Sequence, residues 1–305
     1  MTTYHTPVLL HECIEGLNIQ PNGVYVDVTF GGGGHSGEIL SHLDKGKLIA
    51  FDQDQDASEN QLDDSRIVFC KGNFRFLKNF LRYNGIKKID GLLADLGVSS
   101  HHFDTPDRGF TFQGDSPLDM RMNQTAKITA GDLLNTYSMD QLRRVFREYG
   151  EVDNAGKLAS LIVSGRSASN YKTSTQLVNA ILPCVPRGAE NKYLAKVYQA
   201  LRIEVNHELD SLKLMLHQCN DVMNPGGRLV VITYHSLEDR IVKNFTKTGN
   251  FEGKVEKDFF GNVISPFKPL NNKVIVPSEL ETNRNPRARS AKLRIAERIP
   301  VKTNA

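Results

Sequence analysis

Between Val24 and Asp95 short apolar runs alternate with helical stretches. Residues 24–30 (VYVDVTF), 47–52 (KLIAFD), 66–71 (RIVFCK) and 90–95 (DGLLAD) are too short for helices and are bounded by Gly, Asp or Asn, which predicts buried strands. Residues 36–43 and 74–83 predict crossover helices between them. Such alternation implies a parallel α/β sheet with right-handed connections, a Rossmann-like fold. A fifth strand, 228–234 (RLVVITY), follows the Asn224-Pro225-Gly226-Gly227 turn, leads into a helix from Ser236 and resumes the same sheet.

From about 103 to 221 the rhythm breaks. A loop rich in Pro, Gly and Asp (104–124) gives way to helical patterns with a capping box at Ser138-x-x-Gln141. Leu194, Tyr198, Leu201, Val205, Leu212, Met215 and Cys219 fall at steps of three, four and seven, which predicts one long amphipathic helix over 190–220. The predicted organisation is a sheet domain of residues 1–103 and 222–305, interrupted by an inserted all-helical domain of 104–221.

The composition, 39% hydrophobic and 24% charged over 305 residues, is that of a globular protein and excludes disordered, collagen-like and membrane-spanning classes. No run approaches the roughly 20 apolar residues of a membrane helix, and the first Lys or Arg is Lys45. No leader is therefore expected, and a cytoplasmic location is. Cys13, Cys70, Cys184 and Cys219 have no C-x-x-C spacing and sit among apolar neighbours, so they predict buried thiols and no metal site. Charge is uneven: from Arg284 onward seven basic residues face Glu297 alone, on an otherwise mildly acidic chain. Such an end suits a polyanion-binding surface or a solvated terminal strand. Leu293 and Ile295, alternating with Lys292 and Arg294, would make it an edge strand.

The loop Gly31-Gly32-Gly33-Gly34-His35-Ser36-Gly37 follows the first strand and opens a helix, with G-x-G-x-x-G at Gly32, Gly34 and Gly37. Residues without Cβ let a backbone approach a ligand closely. Asp52 ends the second strand, where its carboxylate can accept hydrogen bonds from ribose hydroxyls. A tight turn with a capping acid would look the same, and the pattern does not choose between a dinucleotide and S-adenosylmethionine. A methyl donor needs an acceptor site at the end of the fourth strand, where Asp95-Leu96-Gly97-Val98-Ser99-Ser100 lies; an acid there can meet an incoming amine or cap a turn.

Seven segments occur in order: His5-Thr6-Pro7-Val8-Leu9-Leu10-x-Glu12, Asp27-x-Thr29-x-Gly31-x-Gly33-Gly34-His35-Ser36, residues 95–100, Asp107-Arg108-Gly109-Phe110, Pro117-Leu118-Asp119-Met120-Arg121-Met122, 235–240 (HSLEDR) and 285–290 (NPRARS). Together they resemble the bacterial small-subunit ribosomal RNA cytosine-N4 methyltransferases, the MraW/RsmH family, from His5 to about Glu297. The resemblance implies a class I S-adenosylmethionine-dependent methyltransferase with a helical substrate-recognition insert, acting on 16S ribosomal RNA or the assembling small subunit. It implies a donor held by Gly33, Gly34, His35 and Asp52, with Phe74 against the adenine and Asp95 facing the cofactor. His102 stands where the family commonly has Gln, and His is shorter.

Three further features divide between chemistry and structure. Pro183-Cys184 matches the nucleophile pair of cytosine-C5 methyltransferases, but no acid or base lies beside it and an exocyclic amine needs no covalent attack on the ring, so a structural cysteine is expected. His235 is expected at the carboxyl edge facing substrate, with Ser236 and Asp239 in a capping pattern. Arg121, Arg287 and Arg289 suit phosphate contacts that position RNA, or surface ion pairs. An NAD-dependent dehydrogenase would share the glycine loop and Asp52 but leaves the motifs from Asp95 to Ser290 unexplained. A non-catalytic RNA-binding assembly factor would keep the insert and the basic end.

Overall fold

A computed structural model describes residues 7–98, 100–271 and 273–300; His5, Thr6, Ser99 and Lys302 lie outside them. The chain forms two compact units, one of Met1–Gly97 with Leu209–Ala305, the other of Val98–Glu208. In chain order the first contains α1 (Leu10–Leu17), β1 (Val24–Asp27), α2 (Gly34–Ser41), β2 (Lys47–Asp52), β3 (Ile67–Lys71), α3 (Leu77–Tyr83) and β4 (Ile89–Asp95). The second contains α4 (Ser100–Asp104), α5 (Ala130–Thr136), α6 (Met139–Glu148), α7 (Ala155–Arg166), α8 (Ser174–Ile181) and α9 (Glu190–Asn206). Then follow α10 (Glu208–Val222), β5 (Met223–Thr233), α11 (Ser236–Thr248), β6 (Phe267–Pro269), α12 (Glu279–Arg284) and β7 (Lys292–Arg298).

The seven strands form one sheet in the order β3-β2-β1-β4-β5-β7-β6. β1 to β5 pair in parallel, and β7 lies antiparallel between β5 and β6. The central strands are covered on both faces, which is why they read as continuous apolar runs: Leu48, Ile49, Ala50 and Phe51 are all fully buried. β1 is shorter than the 24–30 expected, because the Asp27 carboxylate takes the Thr29 N–H at 3.0 Å and turns the chain outward.

The last strand corrects an expectation. β7 pairs on both sides and is not an edge: β6 covers it, and at three residues β6 is too short to give a period-two signal in the sequence. Its basic residues are correspondingly engaged. Arg294 holds Asp239 through Nε at 2.7 Å, and Arg298 is buried with its guanidinium donating to the carbonyls of Pro266, Ile299 and Asn220. Among the described residues, the exposed basic ones of this end are Arg284, Arg287 and Arg289.

The predicted helix over 190–220 is two helices. His207 adopts the left-handed conformation (φ 51°, ψ 41°) and separates α9 from α10. Arg202 Nε and Nη2 then grip Glu208 at 2.8 and 2.9 Å. Apolar spacing continues through the break, so periodicity alone does not register it. The second unit accordingly ends at Glu208 and opens at Val98, where the sequence suggested 104–221. Its core gathers Leu133, Phe146, Leu158, Ile162, Leu177 and Leu201.

Candidate active site

The carboxyl ends of adjacent parallel strands bring the predicted ligand residues into one row and add Tyr234 to it. In sheet order these are Phe74 after β3, Asp52 ending β2, the glycine loop after β1, Asp95 ending β4 and Tyr234 after β5. Three strand spacings separate the first of these from Asp95, about 14 Å. Ligands of doubly wound sheets bind at this edge.

Asp27, fully buried, organises the loop. Its carboxylate accepts from Thr29 N, from Thr29 Oγ1 at 3.3 Å and from Ser36 Oγ at 2.7 Å, which satisfies a charge that would otherwise be costly to bury. Thr29 Oγ1 in turn accepts the Asp95 N–H at 2.7 Å, tying the end of β4 to the start of the loop. Gly33 is the left-handed N-cap of α2 (φ 76°), and a Cβ on Gly34 would lie 2.3 Å from Pro7 Cγ. The glycines therefore serve packing as well as access, whereas a Cβ on Gly31 would meet only Thr29 O, at 4.0 Å. His35 is buried, with Nε2 3.1 Å from the Val8 carbonyl, so it anchors the segment before α1.

Asp52 is half-buried and faces the loop, accepting Gly31 N–H on Oδ2 and Asp54 N–H on Oδ1, both at 2.8 Å. Phe74, half-buried, sits beyond it on a short 3-10 turn capped by Asn73, whose amide donates to Gln53 Oε1 at 2.7 Å.

Asp95 has a different setting. Tyr234 Oη donates to its Oδ1 at 2.8 Å, and His35 Nδ1 is 3.9 Å from Oδ2. Burial pushes this carboxyl above the ordinary range; His35 and the Tyr234 hydroxyl oppose the rise, while Asp27 and Glu238 add to it. Its side chain still keeps 23% of its surface open. Sequence reasoning missed Asp27, Thr29, Ser36 and Tyr234; the first three stand inside the quoted motif, and Tyr234 directly precedes HSLEDR.

The remaining candidates fare differently. His102 is buried in the second unit, its ring 4.6 Å from that of Phe110. Arg121 is an ion-paired clamp: Nε and Nη2 each lie 2.7 Å from the Asp119 carboxylate, and Nη1 donates to the Ala126 carbonyl. The nearby Asp107-Arg108-Gly109 turn is equally structural, since a Cβ on Gly109 would lie 2.2 Å from Pro117 O and Arg108 donates to the carbonyls of Arg121 and Met122. His235 was expected to face substrate, but its side chain is 9% exposed and Nε2 lies 3.2 Å from Glu238 Oε1. His235, not Ser236, is the N-cap of α11 by its extended backbone (φ −139°, ψ 166°), and Asp239 pairs with Arg294. Arg287 and Arg289 are exposed on a 3-10 turn, Pro286–Ser290. Cys184 is buried, and burial raises its thiol pKa, as suits a structural residue.

The open glycine loop, the acid at the next strand end, the aromatic beyond it and the acid on the other side fit a nucleoside carrying a charged arm. This sheet and edge define a class I S-adenosylmethionine-dependent methyltransferase, with S-adenosylmethionine as cofactor. The profile of the MraW methylase family matches residues 2–299, and the chain belongs to that family. It is 58% identical over 297 residues to the ribosomal RNA small subunit methyltransferase H of Bacteroides thetaiotaomicron, covering 97% of this chain and 98% of that one. To the protein of the same name from Flavobacterium johnsoniae it is 55% identical over 303 residues, covering 98% and 100%. Among solved structures, an rRNA methylase from Streptococcus thermophilus aligns with a TM-score of 0.39 at 12% identity, over 98% of this chain and 100% of that one.

Proposed function

We propose that the protein methylates the N4 amine of one cytosine in 16S ribosomal RNA, as the RNA itself or in the assembling small subunit. The observation that carries this reading is Asp95: a carboxylate at the end of β4, one oxygen fixed by Tyr234, with part of its surface open beside the glycine loop. The names of the relatives, ribosomal RNA small subunit methyltransferase H, support the substrate.

When bound, S-adenosylmethionine would supply an electrophilic methyl for the N4 lone pair, with the neutral thioether S-adenosylhomocysteine as leaving group and the proton lost from the amine passing to water. Gly33, Gly34 and the backbone of His35 would hold the donor's arm, Asp52 would accept from its ribose hydroxyls and Phe74 would pack on the adenine. Cytosine N4 is a poor nucleophile because its lone pair is delocalised into the ring. Asp95 accepts an N4 hydrogen, draws the nitrogen toward tetrahedral geometry and offsets positive charge that grows only in the transition state. The flipped base reaches this edge while Arg287 and Arg289 hold phosphates without reading sequence. The helical unit of 98–208 recognises RNA shape. Arg121 keeps its loop in form for that role.

Nucleoside analysis of small-subunit rRNA from cells with and without the protein tests the reading. Loss of one N4-methylcytidine on deletion, restored by the wild-type chain, is expected; an unchanged nucleoside profile would overturn it. Among the described residues no helix is long and apolar enough to cross a membrane.

A further inference from the structure

The sheet places Tyr234 beside Asp95. Asp95 pairs with Ile232 across β4 and β5, so the chain leaving β5 passes directly beside the carboxylate. The ring of Tyr234 lies against the backbone after Asp95: Gly97 has φ 140°, and a Cβ there would be 2.9 Å from Tyr234 Cδ2. A side chain at 97 would push the ring away. The other end of the residue is fixed as well, since its backbone N–H donates to Glu238 Oε2 at 3.0 Å. The phenol thus approaches Oδ1 at 2.8 Å from a braced position.

Oδ1 is thereby taken by a donor. Oδ2 faces His35 Nδ1 at 3.9 Å, beyond hydrogen-bond range, and is the oxygen left for an incoming amine. The charged and titratable groups around Asp95 are His35 on α2, Asp27 on β1, Cys13 on α1, Glu238 on α11 and Tyr234 itself. Two of these are carboxylates that resist a second negative charge, in surroundings that are largely dry. Burial and the Asp95 charge keep the phenol protonated, so it is a donor at any working pH.

We infer that Tyr234 is a positioning residue for methyl transfer: its hydroxyl holds the Asp95 carboxylate ionised and turned so that Oδ2 meets the acceptor amine. The inference rests on the reading of Asp95 above. A hydrogen bond to the charged form favours that form, so its removal raises the carboxyl pKa. The ionised fraction then falls at a higher pH than before.

The test is Tyr234→Phe in the full chain, with Asp95→Asn in parallel. Single-turnover transfer from labelled S-adenosylmethionine is followed from pH 5 to 9 on small subunits from cells lacking this protein. At neutral pH Tyr234→Phe should be about tenfold slower. Its acid limb should move up by roughly one pH unit, with part of the rate regained at alkaline pH and ordinary S-adenosylmethionine affinity. A slow Asp95→Asn beside a Tyr234→Phe with unmoved acid limb overturns this inference alone, including the case in which Tyr234→Phe merely melts earlier. A near-wild-type Asp95→Asn overturns the reading of Asp95 and the inference with it.

Discussion

Asp52 and Asp95 end the two strands that flank β1, and the fold surrounds them with different groups. Asp52 is half-exposed and receives two backbone N–H groups, which stay in place whatever the side chains do. Asp95 receives one hydroxyl from a side chain, and burial makes its charge unfavourable. A carboxylate held by the main chain suits a permanent acceptor for a hydroxyl. One kept charged in dry surroundings suits an acceptor whose strength matters most when positive charge appears opposite it. On the proposed function, holding the donor and activating the amine would fall to separate carboxylates, although both are of the same residue type.

The largest break in this comparison is Asp95→Asn, which keeps the shape and removes the charge. Single-turnover methylation should fall by about 100-fold or more, as on removal of one oxyanion-hole donor, with little change in donor affinity. Saturating S-adenosylmethionine should fail to restore it; full rescue would make Asp95 a binding residue like Asp52. The same variant should melt higher than the parent at neutral pH. Because the folded pKa of Asp95 is raised, its contribution to stability is complete only below the unfolded pKa and is lost as pH rises through the folded value. Asn escapes that loss, and thermal melts followed from about pH 3, below the ordinary carboxylate range, up to pH 8 should show the gap widening with pH.

Asp52→Ala is the next test and should act on binding. Losing a charged acceptor costs about 1.5–3 kcal/mol, so calorimetry should show S-adenosylmethionine affinity weaker by roughly 10- to 100-fold. Unchanged affinity would remove Asp52 from the site. Arg287→Ala with Arg289→Ala should leave both carboxylate functions intact and weaken RNA binding by a smaller factor, with a shallower dependence on salt. A constant salt slope would mean these side chains touch no phosphate. Cys184→Ser should change least: activity persists, and a 5-fluorocytosine RNA forms no covalent adduct.

The same contrast marks what the sequence made legible. Strands β1 to β5, the glycine loop and both carboxylates were readable because each is a short-range pattern: an apolar run, a Cβ-free turn, an acid at a strand end. Tyr234 was not, since its meaning comes from a partner 139 positions away in the chain. Arg298 looked like solvent-facing charge, but the carbonyls of Pro266 and Asn220 that hold it are brought close only by tertiary packing, whereas the ion pair of Arg121 is with Asp119, two positions away in the same motif. His207 was hidden because one backbone conformation splits a helix without disturbing its apolar spacing. The motif around Asp107 and Gly109 stood out in sequence for reasons of packing: a loop folded so closely on itself admits few other residues.

The antiparallel placement of β7 bears on how the chain is made. A ribosome must extrude residues 292–298 before β5 gains its second neighbour, although β5 itself leaves much earlier. Until then Leu229, Val230, Val231 and Ile232, all fully buried in the finished sheet, line an open edge of the kind that recruits other strands. The nascent protein is thus most exposed to misassembly while its catalytic edge is nearly complete. A premature stop ahead of Lys292 should yield aggregated chain and no partially active enzyme.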